Sequence, residues 1–416
     1  MPRIWKFGLC GVARLGFVLA MLVPLSSAHA SSYSVLHYFS GPDGGVPGAP
    51  LISDGSGNLY GTAAVGGKPG ICCGVVFKLT TSGSETVVYS FRGIRRHDGA
   101  FPDGRLLFDG AGNLYGITDE GGRVCGIFTR GCGTVFKIAP DGTETVLYSF
   151  AGKNLRHGAM PRQGLTAGNA GDLYGTTELG GSSTNCGCGT IFKLAPDGTE
   201  TVLHSFHGGR EGTGPASLLV ADGTGYLYGA AGGGSGCSGY GCGIIFKLAA
   251  DGSSYKVIYA FQGGSDGAGP GGLLPDGAGN FYGLTGSGGT GCSGYGCGTV
   301  FKLASDGTET VLYSFKGGSN GWGPIGELIT DAAGNFYGTT YWGGDTGCYH
   351  GGCGTIFELS AAGTESVLHA FGSGNDGKTP YGGLLADGAG NLYGTTSRGG
   401  TSGCGSHCGI VFEVTP

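Results

Sequence analysis

Apolar and polar positions along the chain fall into short runs that recur about every 55 residues. The clearest run, of the type N-L-Y-G-T-T, carries Tyr60, Tyr115, Tyr174, Tyr228, Tyr282, Tyr337 and Tyr393. A second, G-T-V-F-K-L, places Phe77, Phe136, Phe192, Phe246, Phe301, Phe357 and Phe412, and a third, T-V-L-Y-S-F, places Phe39, Phe91, Phe150, Phe206, Phe261, Phe315 and Phe371. Each is a β-branched and aromatic stretch bounded by Gly, Asp and Pro, the pattern of a strand. A weaker apolar run, such as the one ending at Leu273 and Leu274, precedes each tyrosine phrase. The runs lack clean alternation, as expected of sheets covered on both faces.

Four strands per unit predict a propeller blade. The expected fold is therefore all-β: a seven-bladed β-propeller with four antiparallel strands per blade, in one domain over residues 31–416. Blade boundaries fall near 40–91, 92–150, 151–206, 207–261, 262–315, 316–371 and 372–416 plus 33–39. The chain opens on a lone outer-strand phrase, Val35 to Phe39, and stops on a third-strand phrase at Phe412. The N-terminal strand should thus complete the last blade and remove the open sheet edges. Recurring turn carboxylates such as Asp109, Asp141, Asp197, Asp276 and Asp306 suit hairpins, which use Asp and Gly for their own geometry. His37, His204 and His369 replace the outer-strand tyrosine and read as structural.

Residues 1–30 break the pattern. Arg3, Lys6 and Arg14 accompany an apolar run from Leu15 to Leu25, and small residues follow to Ala30, as in a cleavable signal peptide. The run is too short for a bilayer, which needs roughly 20 residues. No later segment resembles an anchor, so a secreted or periplasmic protein is expected, without an integral membrane segment after cleavage and monomeric. The 97 glycines would suggest disorder if they were not periodic. Beyond residue 30 the net charge is −9, which argues against a nucleic-acid partner.

The cysteines after Cys10 form one pair per unit, always between the second and third strands. They are Cys72/Cys73, Cys125/Cys132, Cys186/Cys188, Cys237/Cys242, Cys292/Cys297, Cys348/Cys353 and Cys404/Cys408. In an oxidising compartment these read as staples across the hairpin mouth. Zinc is the competing reading, but a structural site wants four ligands. Adjacent Cys72 and Cys73, and Cys186 with Cys188, look cramped against the usual disulfide Cα separation.

The composite phrase L-Y-G-T-T-x-x-G-G … G-T-V-F-K-L … G-T-E-T-V-L-Y-S-F resembles the Gloeo/Verruco repeat of bacterial "choice-of-anchor tandem repeat" proteins. The resemblance covers essentially all of 31–416. It implies an exported bacterial repeat protein and brings no activity or catalytic residue. A looser likeness to kelch and NHL propellers concerns fold only.

Two departures from the repeat mark candidate binding residues on the face that gathers cysteine loops and blade connections. The first is aromatic: Trp322, Trp342, Tyr341, Tyr349 and His350 in and before one cysteine loop, with Tyr381 in the next connection. Such a group can stack on sugar rings or anchor a protein, or pack on glycine-rich backbone. The second is basic: Arg95, Arg96 and His97, then Arg156 and His157, which can hold a carboxylated or sulfated polymer or be solvated loops. Single-copy carboxylates such as Glu120, Glu178, Glu211, Glu327 and Asp345 could act as acid/base groups, but no motif pairs them. The expected function is a non-catalytic exported scaffold binding an extracellular polysaccharide or surface protein, with no cofactor and no metal. A polysaccharide-active enzyme and a purely structural or assembly protein are the alternatives.

Overall fold

Short β-branched phrases separated by tight Gly-Asp turns fold into seven antiparallel sheets, one per repeat, each with four strand positions. This computed structural model describes residues 31–416 except 68–72, 126–128, 152–155, 183–185, 216, 236–241, 345–346, 349–350, 373 and 401–407. Blade three shows the plan. Its strands Ala159–Ala167, Leu173–Leu179, Thr190–Leu194 and Glu200–Ser205 pair in chain order from the ring centre outward. The closure is as the phrase order requires: Ser32–Tyr38 pairs antiparallel with Ile410–Thr415, from Ser32 opposite Thr415 to Tyr38 opposite Ile410, with a register shift between Val35 and His37.

The core lies between blades. The outer-strand phenylalanine of each blade meets the third-strand phenylalanine of the next, as in Phe39–Phe77 at 5.0 Å, Phe150–Phe192 at 5.2 Å and Phe371–Phe412 at 5.4 Å, all edge to face. These rings are fully buried, and edge-to-face pairs add about 0.5–1.5 kcal/mol each beyond their area. The glycine of the tyrosine phrase makes room for them. A Cβ on Gly116 would lie 2.4 Å from Phe136 Cζ and one on Gly338 2.7 Å from Phe357 Cζ. Aromatic and glycine therefore face each other across the second and third strands, opposed directly in register.

Blades are also joined through backbone. The residue before the recurring proline of each innermost strand has a left-handed φ: Val46, Phe101, Met160 and Thr379 lie between 53° and 57°, and glycine stands at the other three positions. Its N–H donates to the carbonyl of the second cysteine of the preceding blade. Examples are Phe101 to Cys73 at 2.8 Å, Thr379 to Cys353 at 2.7 Å and, across the closure, Val46 to Cys408 at 3.0 Å. The innermost strand is interrupted in blades two, four and seven, where it forms Gly99–Pro102 with Leu107–Phe108, Thr213–Pro215 with Val220–Ala221, and Lys378–Pro380 with Leu385–Ala386.

Disulfides join Cys125–Cys132, Cys186–Cys188, Cys292–Cys297 and Cys348–Cys353. The Cys186 and Cys188 Cα atoms are 5.1 Å apart, which corrects the expectation of a cramped pair: the intervening Gly187, at φ 56°, turns the chain enough to separate them. Cys242 and Cys408 are also disulfide-bonded; Cys237 and Cys404, their neighbours in sequence, lie outside the described residues, as does Cys72. Among the described residues no helix is long and apolar enough to cross a membrane.

Candidate functional site

Two positions per blade face the mouth of the central channel: the residue after the recurring proline, and the residue after the Thr-Thr of the tyrosine phrase. Proline and threonine are opposed in register, as in Pro161–Thr177 and Pro380–Thr396, so each pair of positions is held at one height. In blades one, four and five they are occupied by small residues, Gly48, Ala64, Gly232, Gly271 and Gly286. Blades two and three place Asp103, Asp119, Arg162 and Glu178 there, and blades six and seven place Tyr341 and Tyr381. Of these, Asp103, Arg162, Tyr341 and Tyr381 line a cavity of about 470 Å³ together with Trp322, Trp342 and Glu327.

The aromatic wall is built on one hairpin. Trp322 and Trp342 are opposed in register and their rings stack at 5.5 Å and 20°. Trp322 Nε1 donates to the Gly351 carbonyl at 3.3 Å, which fixes its tilt. Tyr341 meets Trp342 edge on at 4.6 Å and Tyr381 at 6.1 Å. Gly48 leaves the gap between the two walls: a Cβ there would touch Tyr381 Cδ1 at 3.8 Å and Asp103 Oδ1 at 3.9 Å.

The polar wall is centred on Arg162. Its Nε lies 2.8 Å from Glu178 Oε2 and its Nη2 3.5 Å from Asp119 Oδ2. Burial raises the Asp119 carboxyl far above the ordinary carboxylate range, with Asp103 adding to the effect and Arg162 opposing it. Burial also raises Asp103, against the pull of Arg162. For Arg162 itself burial disfavours the charge, but Asp119, Glu178 and Asp103 outweigh this and its pKa rises. Asp119 Oδ1 is buried and has no hydrogen-bond partner among the described residues. Below this layer Glu327 Oε2 meets Arg105 Nη1 at 3.4 Å. Glu327 lines the larger cavity and Arg105 a smaller one of about 360 Å³, so this ion pair divides the channel.

The structure therefore brings Trp322, Trp342, Tyr341 and Tyr381 together, and leaves Tyr349, His350 and Asp345 outside the described residues. Glu178 and Glu327, which no sequence motif pairs, are paired here with arginines, and Glu120 lies 3.8 Å from Arg130. The basic candidates do not join them. Arg95 and Arg96 sit in the exposed turn Ile94–Arg96, with His97 beside it, and Arg156 is exposed. His157 contacts Glu200 at 2.6 Å, a junction between blades. Glu211 contacts His207 at 3.0 Å, away from the cavity wall. Sequence reasoning missed Asp103, Asp119, Arg105 and Arg162. The signal was available: these are the charged residues at register positions that other blades fill with small ones.

Fold and cavity together define a seven-bladed β-propeller with a two-walled site at the mouth of its central channel. The chain belongs to the Gloeobacter/Verrucomicrobia repeat family, whose model matches residues 25–240 and 232–416. No curated protein matches it in sequence. Among solved structures it is similar to selenomethionine-substituted virginiamycin B lyase from Staphylococcus aureus, at 12% identity over 93% of this chain and 99% of that one, with a TM-score of 0.58. It is also similar to an oligogalacturonate lyase in complex with manganese, at 13% identity over 94% of each chain, with a TM-score of 0.55. At such identity the likeness concerns the fold alone.

Proposed function

We propose that the protein is an exported binding propeller for a neutral glycan, held in the central cavity. The observation that carries this reading is the convergence of aromatics from blades six and seven with Asp103 and Arg162 from blades two and three around one space, Arg162 being held by Asp119 and Glu178. Its volume lies in the range of small-ligand sites, about 300–1,000 Å³. The apolar face of a sugar ring packs on aromatic rings, and its hydroxyls suit paired carboxylate and guanidinium groups, which accept and donate. A neutral ligand is favoured because Arg162 is already engaged by two carboxylates, so among the described residues the cavity wall offers no uncommitted positive charge to an anionic polymer. The disulfides support an oxidising compartment, in keeping with the signal-like segment at 1–30.

A glycan array with purified protein, followed by titration of intrinsic fluorescence, tests this. Trp322 and Trp342 are two of the three tryptophans in the sequence and the third is Trp5, so in a chain starting near residue 31 the emission reports the cavity. Trp342→Ala is expected to weaken binding at least about thirtyfold, the loss typical of a buried aromatic anchor, while Arg95→Ala/Arg96→Ala leaves it unchanged. Undiminished binding by Trp342→Ala would overturn the proposal. A second reading, a polysaccharide-active enzyme, is favoured by the raised pKa that burial imposes on Asp119 and by a second carboxylate, Glu178, on the same arginine. New reducing or unsaturated ends on incubation with the bound glycan would select it.

A further inference from the structure

Every blade junction carries the same three positions. They are the outer-strand residue two before the anchor phenylalanine, a residue in the following connection, and the first residue of the next blade's outer strand. Four junctions use tyrosine at the first position and glutamate at the last. Tyr89 donates to Asp98 Oδ2 at 2.9 Å and Tyr313 to Glu365 Oε2 at 3.2 Å. Tyr148 lies 3.4 Å from Glu200 Oε2, and Tyr259 donates to Asp266 Oδ2 at 3.0 Å. Where histidine replaces the tyrosine in two others, tyrosine replaces the glutamate and the rings stack, His204 on Tyr255 at 3.8 Å and His369 on Tyr33 at 3.6 Å. Each of these six thus has a phenol or a ring stack across the junction.

The seventh junction, which closes the ring, breaks this exchange. It pairs a histidine with a glutamate: His37, Asp43 and Glu85. Their ligand atoms all lie within 4.8 Å of one another, and His37 Nε2 stands 3.0 Å from Asp43 Oδ2. Asp43 is oriented from behind, since its Oδ1 accepts from Ser40 N at 2.8 Å and Ser40 Oγ at 2.9 Å. Phe39 packs edge on against the His37 ring at 4.8 Å. Glu85 Oε1 is buried without a hydrogen-bond partner among the described residues, as is Oε1 of Glu144, Glu200, Glu309 and Glu365; what sets this junction apart is that the glutamate faces His37 in place of a tyrosine.

We infer that His37, Asp43 and Glu85 form a divalent transition-metal site that clamps the first blade to the last. One imidazole and two carboxylates are a ligand set for Zn²⁺, Mn²⁺ or Fe²⁺. Ligands about 2.1 Å from one ion lie roughly 3 to 3.5 Å apart, so modest side-chain movement brings all three into coordination and leaves open positions for water. The ion takes the place of the hydroxyl donor that the tyrosine junctions possess. Because two ligands come from the N-terminal strand and its following loop and one from blade one, binding joins the ends of the ring and adds stability in proportion to ion concentration over its Kd.

Calorimetric titration of the chelator-stripped full chain with ZnCl₂ and MnCl₂ tests the site. One equivalent of at least one of the two is expected to bind and raise the unfolding temperature. Glu85→Gln keeps the shape of the junction, and His37→Tyr installs the residue that four sister junctions use. Each is expected to weaken binding by more than the roughly 10- to 100-fold that loss of a mere outer-shell partner causes. His369→Ala, at a junction without glutamate, should bind as wild type. Absence of stoichiometric binding of both ions, or wild-type affinity in folded His37→Tyr, would overturn the inference.

Discussion

Replacing Arg162 by methionine removes the one cation that neutralises the polar wall while preserving most of its apolar stem. Breaking a fully buried charge network by deleting one partner costs about 3–5 kcal/mol, whereas exposed pairs are worth about 0–1. Arg162 keeps 36% of its side-chain surface exposed and Glu178 40%, but Asp119 only 14%. A loss between these limits, roughly 1–3 kcal/mol at pH 8, follows from that mixed exposure. The loss should depend on pH, with a sign fixed by Asp119. Its folded pKa is raised to about 8 by burial and by Asp103, from an ordinary value of 3.8. Its favourable contribution is thus complete below about pH 4 and disappears as pH rises through 8. Without Arg162 the Asp119 carboxyl is pushed higher still and is protonated at pH 5, so this buried group is not left there as an unpaired anion. Urea unfolding of wild type and Arg162→Met at pH 5 and pH 8 should therefore show curves that nearly converge at the lower pH and separate at the higher. An equal difference at both would mean that Arg162 acts through the packing of its stem, and would refute the electrostatic reading of the site.

Three further outcomes are expected. Gly116→Ala should destabilise by about 1–3 kcal/mol through overpacking, since its Cβ would lie 2.4 Å from Phe136 and 2.9 Å from Leu106; Gly110→Ala, with nothing within 4 Å, should be near neutral in the same denaturation assay. Burial raises Glu85, Glu144 and Glu309 to about 7 at their blade junctions, so their contribution is lost as pH rises from about 4.5 through 7. Turn aspartates such as Asp109, where burial acts upward but is outweighed by the hydrogen bonds from Asn113, Ala111 and Tyr115 together, lose theirs as pH falls, and the urea midpoint should peak between these limits. Reduction should lower the midpoint in step with the number of disulfides broken, at about 2 kcal/mol for each short loop; an unchanged midpoint after verified reduction would count against stapling.

The ring was legible because its determinants are local and repeated. A phenylalanine that closes an interblade core, a glycine that admits it and an Asp-Gly turn must recur in every blade, and seven copies make even weak signals add. Closure was readable from the order of phrases, since an unpaired outer strand at one end needs the missing position at the other. The site was only half legible. Trp322 and Trp342 stand out by type, but Asp119 and Arg162 are ordinary surface residues until they are placed in register, where they prove to occupy positions that Ala64 and Gly48 hold in blade one. Charge was more conspicuous in contiguous loops such as Arg95-Arg96-His97, and that prominence marks solvated connections rather than the channel. Convergence across the ring of residues more than 200 apart, as in Arg105 with Glu327, depends on channel radius, which no single repeat encodes.

The hydrogen bond from each innermost strand to the cysteine carbonyl of the preceding blade has a consequence for how such a ring can change. Spacing between blades is set by main-chain atoms and by a covalently braced loop, and not by the side chains that point into the channel. Those inward positions behave as interchangeable slots, so a residue can be exchanged in one blade without disturbing the angle of its neighbours. A lineage built on this frame can acquire a new ligand by refilling a few slots while its fold-bearing phrases stay fixed.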